Sequence, residues 1–222
     1  MGNNRASAIG TASIVALGLG AALILLLQFI PPTNEISALR QTISEYGLSA
    51  NAWLFDIAVL LIVAGSVAGF AVLRAYRAVP VASLIFGTLW TLGMLIVVLF
   101  PKHDWATGPH AGFSGLLHRY ASVVAFACLP IAILVAAGRA FPHSSLARLP
   151  ARVLSVAALG WFAVILGAVA ITGDNWWQVL PLGLVERGMA ITELLALGTL
   201  FAGTWQRFEV APVRQVLTAA AG

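Results

Sequence analysis

Charged side chains make up only 9% of this 222-residue chain, and Asp and Glu together number eight. Soluble globular domains carry ~25% charge, so the chain lacks the polar surface that solubility in water requires. Its single cysteine, Cys128, excludes an intramolecular disulfide and a multi-cysteine metal site. No phosphate-cradling P-loop, dinucleotide fingerprint or G-x-S-x-G nucleophile elbow occurs anywhere in it. Repeats of solenoid period and low-complexity tracts are missing too. The formal net charge is +4, but the arginines are scattered between apolar runs and form no stripe or arm, so no nucleic-acid partner is expected.

What the chain has in abundance is apolar sequence: 60% hydrophobic residues and a mean hydropathy of +0.96. Six runs stand out, approximately 8–30, 51–73, 79–100, 118–137, 153–172 and 181–205. Each is close to the ~20 residues that cross a bilayer as a helix. The expected fold is therefore all-α, a polytopic six-helix transmembrane bundle, with residues 1–222 forming a single integral membrane domain. Arg5, Arg74, Arg77, Arg139, Arg148, Arg152, Arg207 and Arg214 fall on one side if every run crosses. The opposite loops gather Glu35, Glu45, Asp104, Asp174 and Glu186. By the positive-inside rule this places both termini in the cytoplasm of a multi-pass cell-membrane protein. The first run exceeds a signal-peptide core of ~7–15 residues and lacks a small-x-small site before Pro31, so it reads as a retained helix.

Small residues thin several helix faces, as close packing in lipid requires: Gly65 and Gly69 form a G-x-x-x-G pair, joined by Gly18, Gly20, Gly160 and Gly167. They suit a compact bundle, with a dimer seam as the alternative. Trp53, Trp105, Trp176 and Trp177 fall where indoles anchor helix ends. Pro130 is the kink candidate of the fourth helix.

The chemistry is confined to two loops and the helix ends beside them. The first loop carries Ile43-Ser44-Glu45-Tyr46-Gly47, followed by Asp56; the second carries Phe100-Pro101-Lys102-His103-Asp104, then His110, Ser114, His118 and Arg119. The last run adds Glu186, Arg187 and Glu193. At ~1.5 Å per residue Asp56 lies near the interface and Glu193 near mid-bilayer, so Glu193 should face the bundle interior, where it would be protonated, paired or wet. Seven residues separate Glu186 from Glu193, about two turns, which suggests one face lining an outward cleft.

A helix starting at about Pro109 would align His110, Ser114 and His118. With Asp104 they form a weak metal or acid-base pattern, since H-x7-H is not a compact ligand spacing. No cofactor is expected, and His110, His118 and Asp104 are the ligands a metal would use. Structural hydrogen bonding by His118 is the plainer reading. Arg119 and Arg187 either snorkel and pair with nearby acids or hold an anionic headgroup. Ser44 reads as a loop hydroxyl or cap rather than a nucleophile.

These residues resemble the DUF998 family of six-span membrane proteins. The likeness rests on the loop Ile43, Ser44, Glu45 and Gly47, on Trp53 and Phe55, on Phe100, Pro101, Asp104 and His118, and on Glu186 and Arg187. It covers roughly 8–205 and implies six helices and an outer polar cluster, but no activity. The I-S-E-x-G loop is more distantly similar to one in the damage-regulated autophagy modulator group.

The favoured function is binding or sensing of a membrane lipid or small amphiphile in an outward polar cleft formed by Ser44, Glu45, Asp56, Asp104, His110, His118, Arg119, Glu186, Arg187 and Glu193. One alternative is an intramembrane hydrolase or lipid-modifying enzyme with His118 and Asp104 or Glu186 as acid-base partners. The other is a structural or accessory subunit. A proton-coupled transporter is weaker, because no inverted repeat or matching pair of broken helices is evident. Protein partners are not readable.

Overall fold

The computed structural model describes residues 3–104, 112–142, 144–173 and 176–219. Among them every regular element is helical: α1 (Asn3–Leu27), α2 (Ala52–Ala75), α3 (Val81–Leu99), α4 (Phe113–Ala140), α5 (Ser145–Thr172), the short α6 (Trp176–Val179) and α7 (Leu182–Ala219). Two 3-10 turns, Thr33–Glu35 and Ile43–Leu48, shape the loop between α1 and α2. Helices α1 to α5 are long and apolar enough to cross a membrane, and the sixth apolar run lies within α7. A helix satisfies its backbone polar groups internally, which is why apolar sequence in lipid takes this form.

Two boundaries differ from the sequence reading. Helix α4 starts at Phe113, with Gly112 as an extended N-cap, instead of at about Pro109 or His118. Pro109 and His110 lie outside the described residues. Helix α5 starts eight residues before Val153, because the Ser144 hydroxyl caps it by accepting from the Ala147 N–H at 3.1 Å. Arg148 and Arg152 thus sit on a helix rather than in a loop. Pro130 is accommodated within α4, which continues to Ala140.

Helix α1 packs along α2, α3 along α4 and α5 along α7; α7 also reaches α1 and α4. The helices α1, α2, α3, α4 and α7 therefore form a ring, and α5 lies outside it against α4 and α7. Helix α5 presents Val153, Val156, Leu166 and Ile171 outward, an apolar surface suited to lipid rather than water.

The glycines divide between the inside and the outside of this arrangement. A Cβ on Gly20 would meet the Ala58 carbonyl at 2.6 Å, and one on Gly65 would meet the Ser13 carbonyl at 2.8 Å, while Gly69 lies against the Phe201 ring. The G-x-x-x-G pair is thus spent on α1 and α7 within one chain. Among the described residues, nothing outside the local helix backbone lies within 4 Å of such a Cβ at Gly18, Gly160 or Gly167. Polar side chains reinforce the seams: Ser13 donates to the Gly65 carbonyl at 2.6 Å, Ser83 to the Ala132 carbonyl at 2.8 Å, and the Trp90 indole to Ser66 Oγ at 3.2 Å. In lipid, hydrogen bonds and close van der Waals contact replace the hydrophobic drive between helices.

Candidate functional site

Inside the ring lies a cavity of about 380 Å³, within the ~300–1,000 Å³ range of small-molecule sites. Each helix of the ring lines it over one to two turns: Ala21 to Leu25 in α1, with Gln28 just past its end, Phe55 to Ile62 in α2, Trp90 to Val97 in α3, His118 to Phe126 in α4 and Glu186 to Leu194 in α7. Seven or eight residues at ~1.5 Å rise give a depth of ~10–12 Å. Polarity along that depth is uneven. Gln28, Ser44, Tyr46, His118, Glu186 and Arg187 line the end nearest the 31–50 loop, whereas Ala21, Ile62, Trp90, Met94, Phe126 and Leu194 line the far end.

The polar end is a latch that ties the loop to α7. Arg187 Nη1 donates to the carbonyls of Gln41 at 2.7 Å, Ala38 at 3.1 Å and Gly183 at 3.2 Å. Its Nη2 donates to the Tyr46 hydroxyl at 2.9 Å and to Gln28 Oε1 at 3.3 Å. Tyr46, only 1% exposed, donates in turn to Gln28 Oε1 at 2.7 Å. The neighbouring Glu186 turns to the same loop, where its Oε2 accepts the Ile43 N–H at 2.6 Å. The loop comes this close because residue 183 is glycine: a Cβ there would meet the Ala38 carbonyl at 2.6 Å.

His118 sits in the second turn of α4, buried, with its Nδ1 2.9 Å from the Phe100 carbonyl. A carbonyl oxygen only accepts, so Nδ1 carries a hydrogen here. Lys102 forms a salt bridge to Glu45 and donates to Thr42 Oγ1 at 2.8 Å; Ser44 shares a hydrogen bond with Thr42 at 3.0 Å. Ser114 donates to the Pro101 carbonyl at 2.9 Å, holding the second loop against α4.

Of the residues singled out from sequence, Ser44, His118, Glu186 and Arg187 therefore share one cavity. Glu45, next in sequence to the lining residue Ser44, is paired with Lys102 and does not line the cavity. Asp56 is half-buried one position round α2 from the lining residue Phe55, and Asp104 and Arg119 are exposed; none of the three lines the cavity. Glu193 does not line it either. It is fully buried in the helix-packing face of α7, and neither carboxyl oxygen has a hydrogen-bond partner among the described residues. His110 lies outside the described residues, and no three His, Cys, Asp or Glu side chains converge as metal ligands among the described ones.

Two participants escaped the sequence reading. Gln28 is a lone polar residue near the end of an apolar run, three positions before Pro31, and Tyr46 fills the variable position of the I-S-E-x-G loop. Their polar atoms, placed beside an arginine, were the available signal.

Five apolar spanning helices and a largely apolar chamber with a polar mouth define a polytopic helical membrane protein. The chain belongs to the family described as Protein of unknown function (DUF998), whose model matches residues 14–203. No curated protein and no solved structure matches it.

Proposed function

We propose that this protein binds or senses a membrane amphiphile, holding its hydrocarbon part in the cavity and its polar part at the latch. The observation that carries the reading is the polarity gradient along the ~10–12 Å of cavity depth. A second feature supports a lipidic source. Leu25 and Ile191 line the cavity, yet they are 62% and 58% exposed. Leu25 is three residues deeper than Gln28 and Ile191 four deeper than Arg187, so they stand ~4–6 Å below the latch. They stand on the neighbouring helices α1 and α7, and we read the seam between these helices as a lateral portal from the lipid. The scattered arginines favour an orientation with the latch on the non-cytoplasmic side of the cell membrane.

The test is native mass spectrometry with lipid extraction on protein purified in mild detergent, beside a cavity-filling Ala190→Phe variant. The expected result is a stoichiometric amphiphile on the native chain and its loss from the variant. A native chain without bound amphiphile would refute the reading. Hydrolysis of the bound species, lost in His118→Ala, would point instead to the lipid-modifying enzyme.

A further inference from the structure

The cavity mouth holds charges of both signs, and which of them keeps unused valence decides what headgroup it can take. Arg187 is the obvious phosphate grip, since a guanidinium fork holds oxyanions bidentately. Here both terminal nitrogens are already committed, Nη1 to three backbone carbonyls and Nη2 to Gln28 and Tyr46. Lys102 commits two of its three N–H donors to Glu45 and Thr42, and it does not line the cavity. The start of α7 offers an anion little, because the Leu184 N–H is occupied by the Leu39 carbonyl at 3.2 Å and the Val185 N–H by the Pro181 carbonyl at 3.1 Å.

Glu186 is the exception. Its Oε2 accepts the Ile43 N–H, but its Oε1 has no hydrogen-bond partner among the described residues although the side chain lines the cavity. The His118 ring beside it is held through Nδ1 on the Phe100 carbonyl. A headgroup arriving here meets an acceptor in need of hydrogen, and cations that are already coordinated.

We propose that the polar end of the cavity selects a hydrogen-bond-donating headgroup, a hydroxyl or an amine, through Glu186 Oε1, and discriminates against phosphate and carboxylate headgroups. This rests on the amphiphile-binding reading and assigns its ligand class. An ammonium would gain a charge-assisted hydrogen bond to Glu186 Oε1, and a hydroxyl a weaker one.

The experiment uses one saturated chain length with four headgroups: a 1-alkanol, an alkylamine, an alkyl phosphate and a fatty acid. Each displaces a fluorescent alkyl probe from the full-length protein in nanodiscs. The alkanol and alkylamine should bind about tenfold or more tighter than the two anions, the effect of one good hydrogen bond to a charged group; their order tells which donor the site prefers. Glu186→Gln should narrow that gap, because its amide oxygen keeps the Ile43 N–H while its NH₂ turns toward the headgroup. Equal binding of all four would overturn the headgroup assignment and leave the hydrocarbon reading standing. Tighter binding of either anion would overturn it as well. If none displaces the probe and Ala190→Phe does not weaken probe binding, the amphiphile reading itself fails. The native-chain series decides the matter even if the glutamine variant does not fold.

Discussion

The Arg187 guanidinium donates to the Tyr46 hydroxyl at 2.9 Å and lies 5.7 Å from the centroid of the same ring, so one arginine holds the loop tyrosine by both its polar tip and its face. The pair joins segments 141 positions apart in sequence and closes the polar end of the cavity. A lysine offers a point charge in place of a planar fork. Arg187→Lys should therefore lower stability by about 2–4 kcal/mol, from several lost hydrogen bonds to a charged group. Tyr46→Phe keeps the ring contact and should cost about 1–2 kcal/mol. Thermal unfolding in detergent reads both. A silent Arg187→Lys would show that the latch does not hold the loop.

Gly183 and Gly160 make a controlled pair. An alanine at 183 would drive its Cβ into the Ala38 and Gln41 carbonyls, which are backbone and cannot swing aside, so Gly183→Ala should unseat the loop. Gly160→Ala has open space around it and should be neutral or stabilising by about 0.5–1 kcal/mol through helix propensity. Limited proteolysis of the 31–50 loop separates the two. Faster cleavage is expected only in Gly183→Ala, and equal cleavage in both variants would remove the close-approach argument.

The α1–α7 seam offers a kinetic test. Ile191 is exposed at the seam while also lining the cavity, so Ile191→Trp should obstruct passage without filling the chamber's far end. Uptake of a fluorescent alkyl probe from vesicles should slow several-fold while probe affinity changes little. An unchanged rate would place the route elsewhere, for instance past the latch.

The helices were legible because apolar runs of bilayer length leave the backbone few other choices. Helix ends were less so: α5 reaches back to Ser145 because a serine cap outweighs the polar residues that had suggested a loop. The mouth of the cavity was half legible. Glu186, Arg187, His118 and Ser44 converge, but what Arg187 grips are backbone carbonyls of Ala38 and Gln41, which side-chain chemistry in a sequence does not reveal. Glu193 went astray through angle. Seven residues bring it back to within ~20° of Glu186, but the cavity stripe runs through Arg187, Ala190 and Leu194, which lie ~40–100° round the other way. Glu186 stands at the edge of that stripe, and a small drift carries Glu193 off it.

That position makes Glu193 the sharpest remaining test of how the bundle uses its few polar groups. The side chain is 0% exposed, with Met189, Ala196 and Leu197 on the same packing face and no hydrogen-bond partner for either oxygen among the described residues. An unpartnered carboxyl in such surroundings carries a desolvation cost that an apolar side chain of similar length would not. Glu193→Met should therefore raise stability by about 1–3 kcal/mol in detergent unfolding. It should also leave probe binding in the cavity unchanged, because residue 193 does not line it. A destabilised Glu193→Met would mean that the carboxyl has a partner in the folded protein, and lost probe binding would return Glu193 to the site.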